Sequence, residues 1–284
     1  MDNHQTNPLQ KYFRQPKIYV RLPSNGEFYP DGSLDKTENG EYPVYPMTTR
    51  DEIMIKTPDA LLNGESTVEV IQSCIPNIKN AWDIPIIDMD AILIGIRIAT
   101  YGESMELSIK TPVTAEEKDY QVDLRTMLDS LYESEYDNSV ILNEMQVKIR
   151  PLTYREFTET SIQTFEEQRI FNALTDREIP ESKKLQTFND SFKKLTDLTI
   201  HTLEKSIKEI VLEDTTVTNP EHIKEFVNNA DKTLFEKVTN HVDEQRTKFS
   251  VKPLTIKAEP EEIEKGVPET YEVPITFDQA NFFE

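Results

Sequence analysis

The chain is short of cysteine, glycine and histidine, and each shortage removes a class of chemistry. Cys74 is the single cysteine in 284 residues, which excludes an intrachain disulfide and a CxxC zinc knuckle. Its apolar setting, Val70-Ile71-Gln72-Ser73-Cys74-Ile75, points to a buried structural thiol rather than a reactive one. The seven glycines, Gly26, Gly32, Gly40, Gly64, Gly95, Gly102 and Gly266, lie too far apart to build a phosphate-cradling loop. Nucleotide folds of the GxGxxG and GxxxxGK[ST] kind are thereby excluded. Of the four histidines, His4, His201, His222 and His241, none sits in HExxH or beside the cysteine, and His222 and His241 read as exposed helix residues. No GxSxG elbow holds a serine nucleophile, and no Asp-rich loop with a glycine matches a calcium site. No catalytic, metal-binding or cofactor-binding residue is assigned, and the expectation is a protein that is not an enzyme.

Positive charge is also scarce. Lys and Arg number 31 against 52 Asp and Glu, a net charge of −21. A body this acidic repels phosphate backbones, so nucleic-acid binding is disfavoured. In such a composition, pairs like Asp88/Asp90 and Glu103/Glu106 arise by chance and read as helix caps and solvated faces. The longest apolar stretch, Ile84 to Ala99, is broken by Asp88, Asp90 and Arg97 and falls short of the roughly 20 clean residues of a membrane span. The N-terminus has no apolar core of a signal peptide. With hydrophobic residues at 37% and charged residues at 29%, the chain is polar but globular.

Periodicity divides the chain in four. Residues 1–22 form a basic arm and a first strand, Lys17 to Leu22. Residues 23–150 read as a mixed domain. After a turn-rich stretch from Pro23 to Gly32 come a short strand at Tyr42 to Met47, a helix opened by Thr49-Arg50-Asp51-Glu52 and another from Glu65. The helix Asp88 to Tyr101 is apolar nearly all round. Ile87, Ala91, Ile94 and Ile98 make one stripe, and Met89, Ile92, Ile96 and Ala99 another. It is therefore expected to be central and buried, with Asp88 or Asp90 as its cap. Strands at 104–110 and 119–124 suit a hairpin, and one more runs from Glu144 to Arg150. Residues 151–248 read as mainly helical, with helices 154–174 and 180–207. The second carries Leu185, Phe188, Phe192, Leu195, Leu198 and Leu203 at helical spacing. A strand at 209–217 and helices at 220–230 and 232–243 follow. Residues 249–284 read as an extended segment with short strands and an aromatic tail. The fold class is α+β.

The ends carry the partner-binding signals. The first 21 residues have a net charge of +3, from Lys11, Arg14, Lys17 and Arg21 against Asp2. With Tyr12 and Phe13, this arm is suited to dock on a neighbouring subunit, the alternative being a loose solvated arm. The last eight residues hold Phe277, Phe282 and Phe283. Aromatics at a chain end imply a pocket, on the chain's own domain or on a partner.

Several segments occur in a familiar order. They are Leu22-Pro23-Ser24-Asn25-Gly26-Glu27-Phe28-Tyr29-Pro30, then Pro46-Met47-Thr48-Thr49-Arg50-Asp51-Glu52, then Thr57-Pro58-Asp59-Ala60-Leu61-Leu62-Asn63-Gly64. Ile94-Gly95-Ile96-Arg97-Ile98-Ala99-Thr100-Tyr101-Gly102 follows, and Val273 to Phe283 closes the series. The order resembles the baseplate hub protein family of T-even-type contractile-tailed bacteriophages. That resemblance implies a non-enzymatic structural subunit of the baseplate hub, with other tail and baseplate proteins as partners and self-association as a further contact. It places the protein in the virion tail baseplate, and in the host cytoplasm during assembly. A transient assembly chaperone or catalyst, absent from the finished particle, is the alternative. No metal is implied, because the stretch Thr111 to Lys118 holds no cysteine.

Overall fold

In the computed structural model, which describes residues 9–56, 64–175, 181–275 and 282, one helix organises the first half of the chain. This is α3 (Ile86–Tyr101), which follows β1 (Ile18–Arg21), β2 (Glu41–Val44), α1 (Thr49–Ile55) and α2 (Glu65–Cys74). Both stripes of α3 are buried, as a helix apolar all round requires. The antiparallel pair β1–β2, in register Ile18↔Val44 to Arg21↔Glu41, lies across it. The approach is close because position 95 has no side chain. A Cβ added at Gly95 would stand 2.6 Å from Val20 Cγ1, well inside van der Waals contact.

Asp88 and Asp90 do not cap α3. The N-cap is Pro85, which makes no side-chain capping bond. Both carboxylates are instead used for tertiary hydrogen bonds. Asp88 is fully buried. Its Oδ1 accepts from Ser24 N at 2.7 Å, and its Oδ2 accepts from Ser24 Oγ at 2.6 Å and Tyr29 Oη at 2.9 Å. The turn-rich segment after β1, with Asn25, Gly26 and Phe28 at positive φ, is thus wrapped around a buried anion in the first turn of α3. Asp90 Oδ2 accepts from Val251 N at 3.1 Å. Desolvation outweighs the donors at Asp88 and raises its carboxyl to about 6.

After α3 come the hairpin β3 (Ser104–Lys110) and β4 (Glu117–Asp123), paired from Ser104↔Asp123 to Lys110↔Glu117, and then α4 (Leu124–Leu131). Sequence periodicity missed α4, although Asp123 caps it through Arg125 N and Leu124, Leu128 and Leu131 are spaced for one buried face. It also missed β5 (Ser139–Leu142), which pairs with β6 (Met145–Ile149) across a turn with Asn143 at positive φ.

The long helices α5 (Tyr154–Thr175) and α6 (Glu181–Ser206) form an antiparallel hairpin. The region expected as one strand at 209–217 is itself a hairpin of β7 (Ile207–Val211) and β8 (Thr216–Val217). β7 also pairs with β6, so a four-stranded sheet of order β5-β6-β7-β8 runs across Pro151. The strands on either side of that proline share a core with α7 (Pro220–Asn229) and α8 (Lys232–Lys248), built on Leu142, Val147, Ile149, Ile207, Ile223 and Val238. α8 runs to Lys248, five residues past the expected end at 243. The joint to the first core is polar and well paired. Arg150 holds Glu156 through two bonds of 2.8 and 2.9 Å, Thr153 N donates to Glu156 Oε2, and Trp82 stacks on Tyr154.

The C-terminal stretch, expected as extended pieces, folds as the hairpin β9 (Leu254–Lys257) and β10 (Thr270–Val273) around the short helix α9 (Pro260–Glu264). It packs on β3–β4, where Ile109, Ile256, Val267 and Tyr271 form a small third core. Lys118 reaches Glu262 at 3.0 Å, and Tyr120 meets Tyr271 at 3.4 Å.

Two outcomes follow from α3. Gly95→Ala should destabilise the protein by about 1–3 kcal/mol through overpacking. Combining it with Val20→Ala should recover part of that loss in denaturant unfolding; no recovery would mean the close approach is not the cause. The raised Asp88 carboxyl also fixes a sign. A carboxyl whose folded value is raised contributes stability in full at low pH and loses it as pH rises through about 6. Between about pH 8 and about pH 5 the wild type should therefore gain roughly 1 kcal/mol on Asp88→Asn. A pH-independent difference between the two would contradict this.

Candidate partner-binding surfaces

Arg14 ties the basic arm to the body. Arg14 Nη2 donates to Ser73 O at 2.6 Å and to Ser73 Oγ at 2.8 Å, while Nη1 donates to Pro46 O at 2.7 Å and Asp51 Oδ2 at 3.3 Å. Asp51 is itself buried and closes a capping box at α1, where Thr48, one residue before the expected Thr49, is the N-cap. Asp51 Oδ2 also accepts from Ser73 Oγ at 3.0 Å. One carboxylate therefore ties the arm, α1 and α2 together. Cys74 lies beside this node, fully buried, with Arg14 Nη1 at 4.0 Å from its Sγ. Burial, with Asp51 nearby, pushes the thiol up to about 12, so it is not a nucleophile near neutrality.

This anchoring fixes the next residues outward. Tyr12 is 73% exposed and Phe13 is 55% exposed. Lys11 Nζ stands 4.8 Å from the Tyr12 ring centroid. A short 3₁₀ turn, Gln10–Tyr12, carries Lys11 and Tyr12, and Phe13 follows it. The result is a positioned aromatic pair beside positive charge, on an otherwise acidic chain.

The aromatic tail divides differently. Phe282 is 3% exposed, inside the first core. Phe277 and Phe283 lie outside the described residues, as does Thr57 to Asn63 of the recurring segments. Among the other singled-out residues, His201 Nδ1 lies 3.3 Å from Glu204 Oε2 and His222 is exposed. His241, expected to be exposed, is partly buried, with Nε2 at 2.9 Å from Asp137 O. That pairing holds α8 to the approach of β5. Among the described residues no three His, Cys, Asp or Glu side chains gather in a metal-binding group. No helix among them is long and apolar enough to cross a membrane.

A second surface went unread in the sequence. The apolar stripe of α6 is covered only at its lower end. Leu203 is buried, whereas Phe192 is 63% exposed, with Leu185 and Phe188 also exposed. On α5, Phe165 is 61% exposed and Ile170 is exposed as well. The signal available in sequence was charge: Lys183, Lys184, Lys193 and Lys194 cluster along this stretch against Asp190 alone.

Geometry thus defines an α+β protein whose recurring segments build a packed body and whose arm and helical hairpin present ordered apolar surface. Residues 15–258 match the family described as T4 bacteriophage base plate protein. The match spans most of the chain, and the chain belongs to that family, the proteins of the phage tail baseplate. No curated protein and no solved structure matches it.

Phe282→Ala should lower stability by about 3 kcal/mol, the usual cost of emptying an aromatic core site. A melting temperature unchanged by this substitution would show that the ring is dispensable to the core.

Proposed function

We propose that this baseplate protein is a structural subunit of the hub, not an enzyme, that acts through protein–protein contacts in tail assembly. The observation that carries the reading is the anchored arm. Arg14 spends four hydrogen bonds on holding the chain at the edge of α1 and α2, and the residues just before it expose two aromatic rings. Ordering a segment costs backbone entropy. Here that cost is met within the subunit, so a partner meets a preorganised patch. Aromatic residues beside a cation match the composition of interface anchors. Net charge of +3 on residues 1–21 against −24 on the remainder lets the arm of one subunit approach an acidic neighbour.

The test uses purified particles. A hub subunit is present in them at fixed stoichiometry, and Tyr12→Ala/Phe13→Ala should reduce its incorporation while leaving the melting temperature unchanged, since both rings are exposed. Protein abundant in infected cells but missing from finished particles would overturn the structural reading in favour of a transient assembly factor. Full incorporation of the double variant would remove the arm as the contact.

A further inference from the structure

Two neighbouring stretches of the surface each carry charge of a single sign. Between Arg125 and Lys148 stand Asp129, Glu133, Glu135, Asp137 and Glu144, with no Lys or Arg among them. Residues 246–257 hold Arg246, Lys248, Lys252 and Lys257 and no acid, a net of +4 in a chain whose total is −21. The fold stitches the two stretches side by side. Ser134 Oγ donates to Lys248 O at 3.4 Å, and Asp137 N donates to Oε1 of the buried Gln245 at 2.9 Å. Between these bonds the Tyr136 ring lies 5.2 Å from Phe28 and 6.0 Å from the buried Phe249. Packing therefore fixes the acidic strip and the basic strip relative to each other.

Inside the subunit most of these charges go unused. Arg246 pairs with Asp243, and Asp137 with His241. Asp129, Glu133, Glu135, Lys248 and Lys252 are exposed, and none of them forms an ion pair. Lys248 sits in the last turn of α8, where it complements the helix dipole. Lys252 lies beyond the helix, so the dipole does not account for it. A solvated face intersperses both signs. Here they are segregated into adjacent strips, and such a pattern is its own complement under a two-fold rotation. We infer that a second copy of this chain docks on this surface, so that Glu133 and Glu135 of each protomer face Lys248 and Lys252 of the other. A single exposed ion pair adds little, but a closed two-fold contact makes every pair twice. Complementary potentials also speed the encounter and set its orientation. The surface is separate from the arm, so the inference stands apart from the hub reading and is tested without particles.

Sedimentation of the full chain at concentrations up to about 100 μM covers the range of a contact of modest affinity. Wild type should dimerise in low salt, and raising the salt to about 0.5 M should weaken the dimer by about tenfold or more, because these surface charges are screened. A wild type that stays monomeric in low salt, or a dimer indifferent to salt, overturns the inference. Charge reversal tests the pairing itself. One chain carries Lys248→Glu/Lys252→Glu and another Glu133→Lys/Glu135→Lys. All four positions are exposed, so the circular dichroism of each should match wild type. Each variant alone should be monomeric. Mixing them should restore a heterodimer, since one copy then offers two acidic strips and the other two basic ones. Reversed chains that still self-associate, or that stay apart on mixing, contradict the pairing. Tyr12→Ala/Phe13→Ala should dimerise as wild type does, and loss of the dimer in that variant would move the contact to the arm.

Discussion

The first half of this protein depends on one buried carboxylate. Asp88 sits in the opening turn of the central helix with no exposed surface, and it holds the Ser24–Tyr29 segment through three donors. An ion so placed is costly unless each lone pair is used, and here the loop folds around it to supply the donors. That wrapping sets where β1 leaves off, which in turn sets Val20 over Gly95. The placement of β1–β2, and through the strand edge the approach of the arm, follows. Asp90 extends the same logic to the other end of the chain by receiving Val251.

The recurring segments acquire physical duties in this frame. Leu22 to Pro30 is the loop around Asp88. Pro46 to Glu52 supplies the capping box and the Asp51 node that Arg14 grips. Ile94 to Gly102 supplies the glycine that admits β1 and a left-handed turn that ends the helix. These are positions at which a side chain is set by close approach or by a buried partner.

Much of the body was legible in the sequence for that reason. The all-round apolar pattern of α3 and the alternation of β3 and β4 translate directly into structure, and the cap of α1 falls one residue before the expected Thr49, at Thr48. Where reading failed, a tertiary demand had taken over a local one. Asp88 and Asp90 have the position of caps but are recruited by Ser24, Tyr29 and Val251. β6 pairs with β7 across the expected boundary near Pro151, because Val147 and Ile149 have their apolar complement in Ile207 and Ile210. For the candidate surfaces, the exposed Tyr12 and Phe13 were readable as aromatics on a basic arm, but the Arg14 anchor that orders them joins residues about 60 apart in sequence, a reach periodicity does not cover. The α6 stripe was visible as periodicity, which reports spacing and is silent on whether anything covers it.

The central claim is that this chain works in the baseplate by contact, through an arm ordered in advance on its own body. Cross-linking mass spectrometry of purified particles, aimed at lysines, tests it most directly. The account predicts links from Lys11, next to the exposed aromatic pair, to a different tail protein. Particles in which the chain is present but Lys11 links only to its own body would contradict it.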